Sequence, residues 1–476
     1  MTATRPDRRW LALVVLCLGE LMIVLDSTIV NVALPSIRAD LGFTETALVW
    51  VVNAYMLTFG GFLLLGGRLG DLYGHRRTFL GGLAFFTLAS LACGLAQTQA
   101  LLVAARAVQG LGGAVVSAVA LSLIMNLFPE TGERARAMGV YGFVCAGGGS
   151  LGVLLGGLLT SVGWHWIFLV NLPIGVAVYA ASSRLLPRAA GVEGQKLDVA
   201  GAVSVTLSLM LAVYGVVGGN EAGWGSVQTL GTLGAAVALM ALFLAVEARS
   251  RHPLVPLGLF RLRNISVSNV CAVLWSAGMF AWFFMAALYL QQVLRYTPMQ
   301  VGLAFLPANL VMAALSLGWS ARLVMRFGIR APLGVGLVLA AAGLLLFARA
   351  PLAGGFWLDV FPGMLLLGLG AGIAFNPMLM AAMHDVPPED AGLASGLVNT
   401  AFMLGGALGL AVLASLASAR TGALAASGAE GAAALLGGYQ AAFGAGAAFA
   451  LVAAVLGGWL LRADVKGGAA ALAAPH

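Results

Sequence analysis

Charge is scarce in this sequence. Of its 476 residues only 9% are Asp, Glu, Lys or Arg, while 61% are apolar. Soluble globular chains carry about 25% charged residues, so the composition excludes a soluble enzyme, a secreted disulfide scaffold and a disordered protein. The formal net charge is +7. We attribute the excess of basic residues to loops at the membrane surface rather than to a nucleic-acid-binding surface, so no nucleic-acid partner is expected.

Cysteine and the sequence motifs of enzymes are equally scarce. The four cysteines all lie in apolar runs without a C-x-x-C pair, so neither a disulfide framework nor a metal site is predicted. No nucleotide-binding loop or nucleophile motif is found, which argues against an enzyme and against an ATP-driven pump. The cysteines are Cys17, Cys93, Cys145 and Cys271.

Long apolar runs are what the sequence does have. A membrane-crossing helix needs about 20 apolar residues, and the chain contains enough such runs to predict an all-α polytopic membrane protein with fourteen transmembrane helices. The predicted spans are 10–34, 47–66, 79–97, 100–124, 137–159, 164–186, 199–219, 228–247, 264–292, 300–321, 332–349, 356–380, 393–418 and 439–461.

The distribution of basic residues predicts the orientation. If the N-terminus is cytoplasmic, 20 of the 25 Lys and Arg residues fall in inside loops and tails, and four fall outside. Because basic residues favour the cytoplasmic side, both termini are predicted to be cytoplasmic, in a bacterial cell (inner) membrane. The loop 220–227 is then expected outside. The inside loop 381–392 is an exception, since it has no Lys or Arg.

Three short segments recur at nearly one offset, which indicates an internal repeat. We therefore predict two related six-helix bundles, residues 1–186 and 264–462, separated by a linker with two extra spans, 187–263, and followed by a disordered tail, 463–476. Such repeats are typical of transporters with a central midplane site. The paired segments are 68–76 with 322–330, 110–113 with 368–371, and 148–152 with 405–409.

Only three ionisable residues lie deep inside predicted spans: Glu20, Asp26 and Arg106. Each costs about 3 kcal/mol to insert, so a functional role is the default interpretation and a polar lock between helices is the alternative. At about 1.5 Å per residue, Asp26 and Arg106 both lie roughly 10 Å from the outer membrane surface. They are therefore predicted to pair, and Glu20 lies nearer the midplane.

Two sets of residues are candidates for substrate binding. Glu20 shares a helix face with Ser27 and Asn31, and lipid would penalise such a polar stripe, so it is expected to face a wet cavity. Trp275 and Trp282 share a face of span nine and suit flat or cationic ligands. The alternative is that the tryptophans pack in the core or face lipid.

Four motifs carry a resemblance to a known family. Residues 25–35, LDSTIVNVALP, resemble the first-helix signature of the fourteen-helix drug:proton antiporters of the major facilitator superfamily. The segments 67–77, GRLGDLYGHRR, and 106–112, RAVQGLG, resemble the loop and fourth-helix motifs of that superfamily. Residues 164–175, WHWIFLVNLPIG, resemble a further stretch typical of the antiporter family.

The resemblance implies specific roles. Asp26 is implied as the proton-coupling carboxylate and Arg106 as its partner. Glu20 lies outside the family motif and is a candidate for an additional proton or cation site. Asp71 is implied as a cytoplasmic latch between the halves, in a tight loop shaped by Gly67 and Gly74 with Arg76 nearby. The fifth-helix antiporter motif is matched by its glycines, although valine stands at position 153 where the family has proline. These glycines are Gly148, Gly152, Gly156 and Gly157.

The sequence therefore predicts an exporter driven by the proton gradient, with no other cofactor and no metal. It would act as a monomer on amphipathic compounds such as drugs, dyes or a natural product, and so contribute to multidrug efflux or antibiotic resistance. Glu20 would select cationic substrates and Asp26 would carry the proton, or the two roles are reversed. The alternative functions are a uniporter or symporter importing a metabolite, and a lipid-handling protein.

Overall fold

A computed structural model describes residues 6–128, 130–187, 198–250, 253–315, 319–384, 386 and 391–461. These residues form helices and connecting turns, with no β-strand among them. Twelve helices are long and apolar enough to cross a membrane, and two shorter apolar helices, Gly147–Val162 and Pro298–Ala314, lie where the fifth and tenth spans are predicted. The all-α membrane fold is confirmed, while the count of fourteen spans stays a prediction.

The first part of the chain forms nine helices within the described residues. They are α1 (Pro6–Leu41), α2 (Glu45–Tyr73), α3 (His75–Gly94), α4 (Gln99–Leu127), α5 (Thr131–Val162), α6 (Trp166–Leu169), α7 (Asn171–Leu185), α8 (Val199–Ala222) and α9 (Val227–Arg249).

The second part begins with a 3₁₀ turn, Leu257–Arg261, and contains seven described α-helices. They are α10 (Arg263–Leu288), α11 (Pro298–Ala314), α12 (Ser320–Phe327), α13 (Arg330–Phe347), α14 (Phe361–Met383), α15 (Ala391–Ala426) and α16 (Gly431–Leu460). A π-helical turn, Tyr289–Val293, extends α10, and another, Phe356–Val360, precedes α14.

Local sequence signals fix several helix starts. The Thr44 and Thr98 side chains accept hydrogen bonds from backbone N–H groups in the first turns of α2 and α4. Thr297 and Gln300 form a reciprocal capping box before α11, with Pro298 at the first helical position. Each cap satisfies backbone donors that the helix itself leaves free.

The helices differ from the predicted spans mainly at their ends. α2 continues to Tyr73, well past residue 66, because Gly66 and Gly70 pack closely against α4 within the helix, and the first residue beyond 66 with a positive φ is Gly74, at 86°. The tenth span, predicted to run to residue 321, is represented by α11 to Ala314 and by α12 from Ser320, and residues 316–318 between them lie outside the described residues. Residues 385 and 387–390 of the predicted inside loop 381–392, and the predicted tail 463–476, lie outside the described residues.

The internal repeat is visible in how equivalent glycines pack. Gly110 of α4 contacts α2, and its equivalent, Gly368 of α14, contacts α11. Gly112 of α4 meets α3 at Phe86, and Gly370 of α14 correspondingly meets α13 at Ala340. The same pairs of helices therefore approach closely in both halves, as the recurring segments predict.

The two halves meet along two seams. In one, α2 packs against α15, and the Asn53 amide donates to the Ala407 carbonyl at 2.9 Å. In the other, α5 packs against α11, where a Cβ on Gly302 would lie 2.8 Å from the Val153 carbonyl oxygen. The extra helix α8 contacts both α2 and α15, so it lies along the first seam.

Candidate transport site

Asp26 and Arg106 form an ion pair inside the first half. The Arg106 Nη1 donates to Asp26 Oδ2 at 2.5 Å, and both residues are 1% exposed. The Arg106 Nε donates to the Val51 carbonyl at 2.9 Å, and the guanidinium lies 4.3 Å from the centre of the Tyr55 ring. The depth calculation that paired these charges therefore agrees with the observed contact.

Uncharged amides complete the surroundings of Asp26. Its Oδ1 accepts from Gln109 Nε2 at 2.7 Å and from Asn171 Nδ2 at 2.9 Å. Gln109 also accepts from Arg106 at 2.7 Å and donates to Ser90 Oγ at 2.7 Å. We call Asp26, Arg106, Gln109, Asn171 and Ser90 the Asp26 network. It joins α1, α3, α4 and α7, so it locks together the helices of this half.

Glu20 has different surroundings. It is 6% exposed, and Oε1 accepts from the Ser117 hydroxyl of α4 at 3.1 Å. The side chain of Tyr141 on α5 is also a hydrogen-bond partner. Among the residues that the structure describes, the second oxygen, Oε2, is buried and has no hydrogen-bond partner. A buried carboxyl with an unused oxygen is expensive, which makes Glu20 a candidate for binding a proton or a cation.

The predicted polar stripe on α1 does not act as one hydrogen-bonded unit. Ser27 Oγ donates to the Val24 carbonyl, and Asn31 Nδ2 donates to the carbonyls of Ser27 and Thr28, all on the same helix. These bonds satisfy the polar groups locally. The substrate-binding role of Ser27 and Asn31 stays a prediction.

Trp275 and Trp282 enter two different aromatic groups. Trp275 lies 5.2 Å from Phe402 and 6.1 Å from Phe375, measured between ring centres. Trp282 is 1% exposed and packs against Phe305 at 5.3 Å, deep in the second half. Trp282 is therefore a packing residue of the core, which favours the alternative interpretation of that residue.

The aromatic group around Trp275 reaches the boundary between the halves. Phe280 lies 5.6 Å from Phe402, ring centre to ring centre. A Cβ on Gly406 would lie 2.9 Å from Met56 Cε of the first half. Phe280 therefore lies beside the contact between α2 and α15, and the substrate-binding role of Trp275 stays a prediction.

The predicted latch segment has a shorter turn than expected. Gly67 lies inside α2 rather than in a loop, because α2 continues to Tyr73, and Gly74 alone makes the turn. Asp71 Oδ1 lies 3.3 Å from His75 Nε2, and Arg76 donates to the Ser183 carbonyl at the end of α7.

The register of the α2–α15 seam places Asp71 near the start of α15. Asn53 contacts Ala407, Gly60 lies against Leu404, and Leu64 lies against Gly396, so α2 and α15 run in opposite directions. Extending this register by two turns, from Leu64 to Asp71, leads to residue 389, two residues before α15 begins at Ala391 and outside the described residues. The approach of Asp71 to α15 and the latch itself stay predictions.

The fifth-helix glycines let α5 approach its neighbours closely. A Cβ on Gly148 would lie 3.0 Å from Leu21 and Val24, and Gly152 and Gly156 likewise face α1. Gly157 faces the other half, where a Cβ would lie 2.8 Å from the Pro298 carbonyl oxygen. α5 runs as one helix through Val153, the position where the family has proline.

Several residues of the site escaped sequence reasoning. Gln109 and Asn171 occur within the motifs above without a role of their own, and no sequence pattern points to Ser90. Neutral amides and hydroxyls lack the insertion cost that marks a charge in a membrane helix. A usable signal existed for Gln109, since it lies three residues after Arg106 and so shares its helix face.

Comparison with known proteins identifies the family. A model of the Major Facilitator Superfamily matches residues 16–410. The chain belongs to this superfamily. It is therefore a multi-pass membrane protein of a transporter family rather than of an enzyme family, and its bacterial relatives imply a cell membrane.

The curated relatives of this superfamily member include named exporters. It is 40% identical over 410 residues to the cephamycin export protein CmcT of Amycolatopsis lactamdurans, covering 84% of each chain. It is 40% identical over 423 residues to the puromycin resistance protein pur8 of Streptomyces alboniger, covering 88% of this chain and 84% of that one.

Solved structures of the superfamily support the fold. The human organic anion transporter MFSD10 aligns with a TM-score of 0.63 at 19% identity, and the alignment covers 95% of this chain and 100% of that chain. A bacterial homologue of the human lysosomal transporter Spinster aligns with a TM-score of 0.66 at 17% identity, covering 95% and 97% of the two chains.

Proposed function

We propose that this protein is a proton-coupled exporter of amphipathic compounds such as antibiotics, dyes or a natural product. Relatives about 40% identical are named for antibiotic export or resistance, which supports the direction of transport and the class of substrate. Two buried carboxyls on α1 supply groups for coupling. The observation that carries the proposal is the unequal pairing of these two carboxyls.

Asp26 acts as a fixed negative charge in this proposal. Each of its oxygens accepts hydrogen bonds, from Arg106 on one side and from Gln109 and Asn171 on the other. A proton bound at either oxygen would displace at least one of these hydrogen bonds.

Glu20 is the group that exchanges the proton. Within the described part of the chain, its Oε2 has no hydrogen-bond partner, and its Oε1 accepts from the neutral Ser117 hydroxyl. A proton or a cationic substrate can therefore bind Oε2 without breaking an ion pair, and the two compete for the same oxygen. This assignment moves the proton from Asp26 to Glu20 but keeps cation binding at Glu20, so it differs from a simple exchange of the two roles. The geometry favours it over a coupling role for Asp26.

The two roles are separated by comparing driven transport with exchange in proteoliposomes, using one cationic and one neutral substrate. Gln mimics a protonated Glu, so Glu20→Gln should abolish transport driven by a pH gradient for both substrates while retaining substrate exchange without a gradient. Asp26→Asn should reduce both activities, because it leaves the Arg106 charge buried and unpaired.

The opposite pattern contradicts this assignment. If Glu20→Gln still moves the neutral substrate with the pH gradient, while Asp26→Asn loses only the driven transport, Asp26 carries the proton. Ser117→Ala serves as a matched control, since it removes the bond to Glu20 Oε1 and leaves both carboxyls in place.

A further inference from the structure

Four polar side chains join the ends of four helices at the side of the bundle opposite the described chain ends, which we call the distal end. Arg38 closes α1, Glu45 opens α2, Gln292 lies in the turn that extends α10, and Tyr439 lies in α16. Arg38 Nη1 donates to Glu45 Oε1 at 2.7 Å and to Gln292 Oε1 at 3.2 Å. Tyr439 Oη donates to Glu45 Oε1 at 3.1 Å.

Two of these bonds connect the two halves. The bond from Arg38 to Gln292 and the bond from Tyr439 to Glu45 each pair a residue of α1 or α2 with one of the second half. A third connection lies beside them, where Gln291 Nε2 donates to the Val32 carbonyl at 2.9 Å. The distal end is thus closed by hydrogen bonds as well as by packing.

The backbone that presents the two glutamines is irregular. Residues Tyr289–Val293 form a π-helical turn, in which the Leu294 N–H donates to the Tyr289 carbonyl at 3.1 Å. Arg295 follows at φ 61°, and it alone among the described non-glycine residues has a positive φ. Such turns and left-handed residues are costly and concentrate at functional sites.

The irregular turn explains how neighbouring glutamines reach different partners. A π-helical turn holds an extra residue, and an α-helix advances by about 100° per residue. Returning this turn to α-helical geometry would rotate the residues after the insertion by about 100° relative to α10. Gln291 and Gln292 would then both lose their hydrogen bonds to α1. Tyr289 is held separately, because its hydroxyl donates to the Pro351 carbonyl at 2.9 Å.

We propose that these residues form a distal gate whose hinge is the π-helical turn. In the closed gate the turn is π-helical, Arg295 is left-handed, and the glutamines bind α1. In the open gate the turn is α-helical and both connections between the halves through α10 are lost. The gate concerns the path of a solute through the distal end and does not depend on the direction of transport or on proton coupling.

The gate is tested by measuring the distance between the halves. Spin labels on Gln97→Cys, between α3 and α4, and on Gly431→Cys, at the start of α16, report the separation of the distal ends in proteoliposomes. The native cysteines are replaced by alanine in this background. In the protein with an unmodified gate, the two labels should lie mainly at the shorter of their two separations, which corresponds to the closed gate.

Two variants should shift this distance in opposite directions. Gln292→Leu keeps the size of the side chain but removes the acceptor for Arg38, so the long-distance population should rise about tenfold, as expected for one charge-assisted bond. Arg295→Gly removes the cost of the left-handed backbone in the closed state, so the short-distance population should increase.

The control is Gln228→Leu, which changes an exposed glutamine at the same end, on α9, that is bonded only to Tyr214 at 3.5 Å. It should leave the distances unchanged. The proposal is overturned if Gln292→Leu gives the same distances as the parent protein, or if Arg295→Gly favours the long distance. Neither readout needs substrate or a proton gradient, so failure here is separate from failure of the proposed exporter function.

Discussion

Two carboxyls six residues apart on α1 have opposite surroundings. Asp26 accepts hydrogen bonds from Arg106, Gln109 and Asn171, whereas one oxygen of Glu20 accepts none from any residue that the structure describes. Burying an ion pair is favourable only when the remaining hydrogen-bonding capacity is also satisfied, and the amides provide this at Asp26. The same logic makes Glu20 the group that is ready to accept a new partner.

At the residue scale, we predict that Asn171→Ala destabilises the protein. It removes one of the two donors to Asp26 Oδ1 in a site that excludes water, which should cost about 1–3 kcal/mol. The measurement is the midpoint of thermal unfolding in detergent. Asn31→Ala is the matched control, because that amide bonds only to the backbone of its own helix; equal effects of the two substitutions would contradict a special role for Asn171.

At the element scale, the two seams depend on close helix approach and on helix ends. α5 and α11 approach at Gly157 and Gly302, and α2 and α15 approach at Gly60 and Gly396. Small residues allow such contacts between membrane helices, where packing replaces the hydrophobic effect as the driving force. The seams are therefore where small changes in side-chain volume or charge should alter the balance between conformations.

Gly157→Ala should impair closure of the α5–α11 seam. The added Cβ would lie 2.8 Å from the Pro298 carbonyl oxygen and 2.9 Å from Met299 Cα, and forcing extra atoms into a packed interface costs about 1–3 kcal/mol. Transport should fall more than fivefold. Gly149→Ala, on the same helix but with no atom within 4 Å of the added Cβ, should transport normally; equal loss in both would indicate a general effect on α5.

Asp71→Asn should weaken the predicted latch at the start of α15. A negative charge near a helix N-terminus is stabilised by the free N–H groups and the helix dipole. Losing it should change the ratio of conformations about tenfold, measured by labelling a cysteine near the start of α15. Asp71→Glu should retain most of the effect. Unchanged transport and an unchanged ratio in Asp71→Asn would show that the latch is absent.

At the scale of the whole molecule, the sequence was sufficient for the fold class and for one ion pair. Apolar runs locate the helices because lipid permits no unsatisfied backbone, and the cost of intramembrane charge singled out Asp26 and Arg106. The contacts of Gln292 and Tyr439 could not be predicted from the sequence. They join residues at least 147 positions apart, and no local sequence pattern encodes such a tertiary contact. The extent of α2 was missed because hydropathy marks the lipid-embedded part of a helix and not its end.

The most direct test of the account is the direction of proton movement when substrate is added to proteoliposomes containing the unmodified protein. A panel of cationic and neutral amphiphiles, including the antibiotics named for the relatives, is applied with a pH-sensitive dye inside the vesicles. The account predicts that protons move opposite to the substrate, and that Glu20→Gln abolishes this movement. Protons moving with the substrate, or substrate crossing with no proton movement, would contradict it.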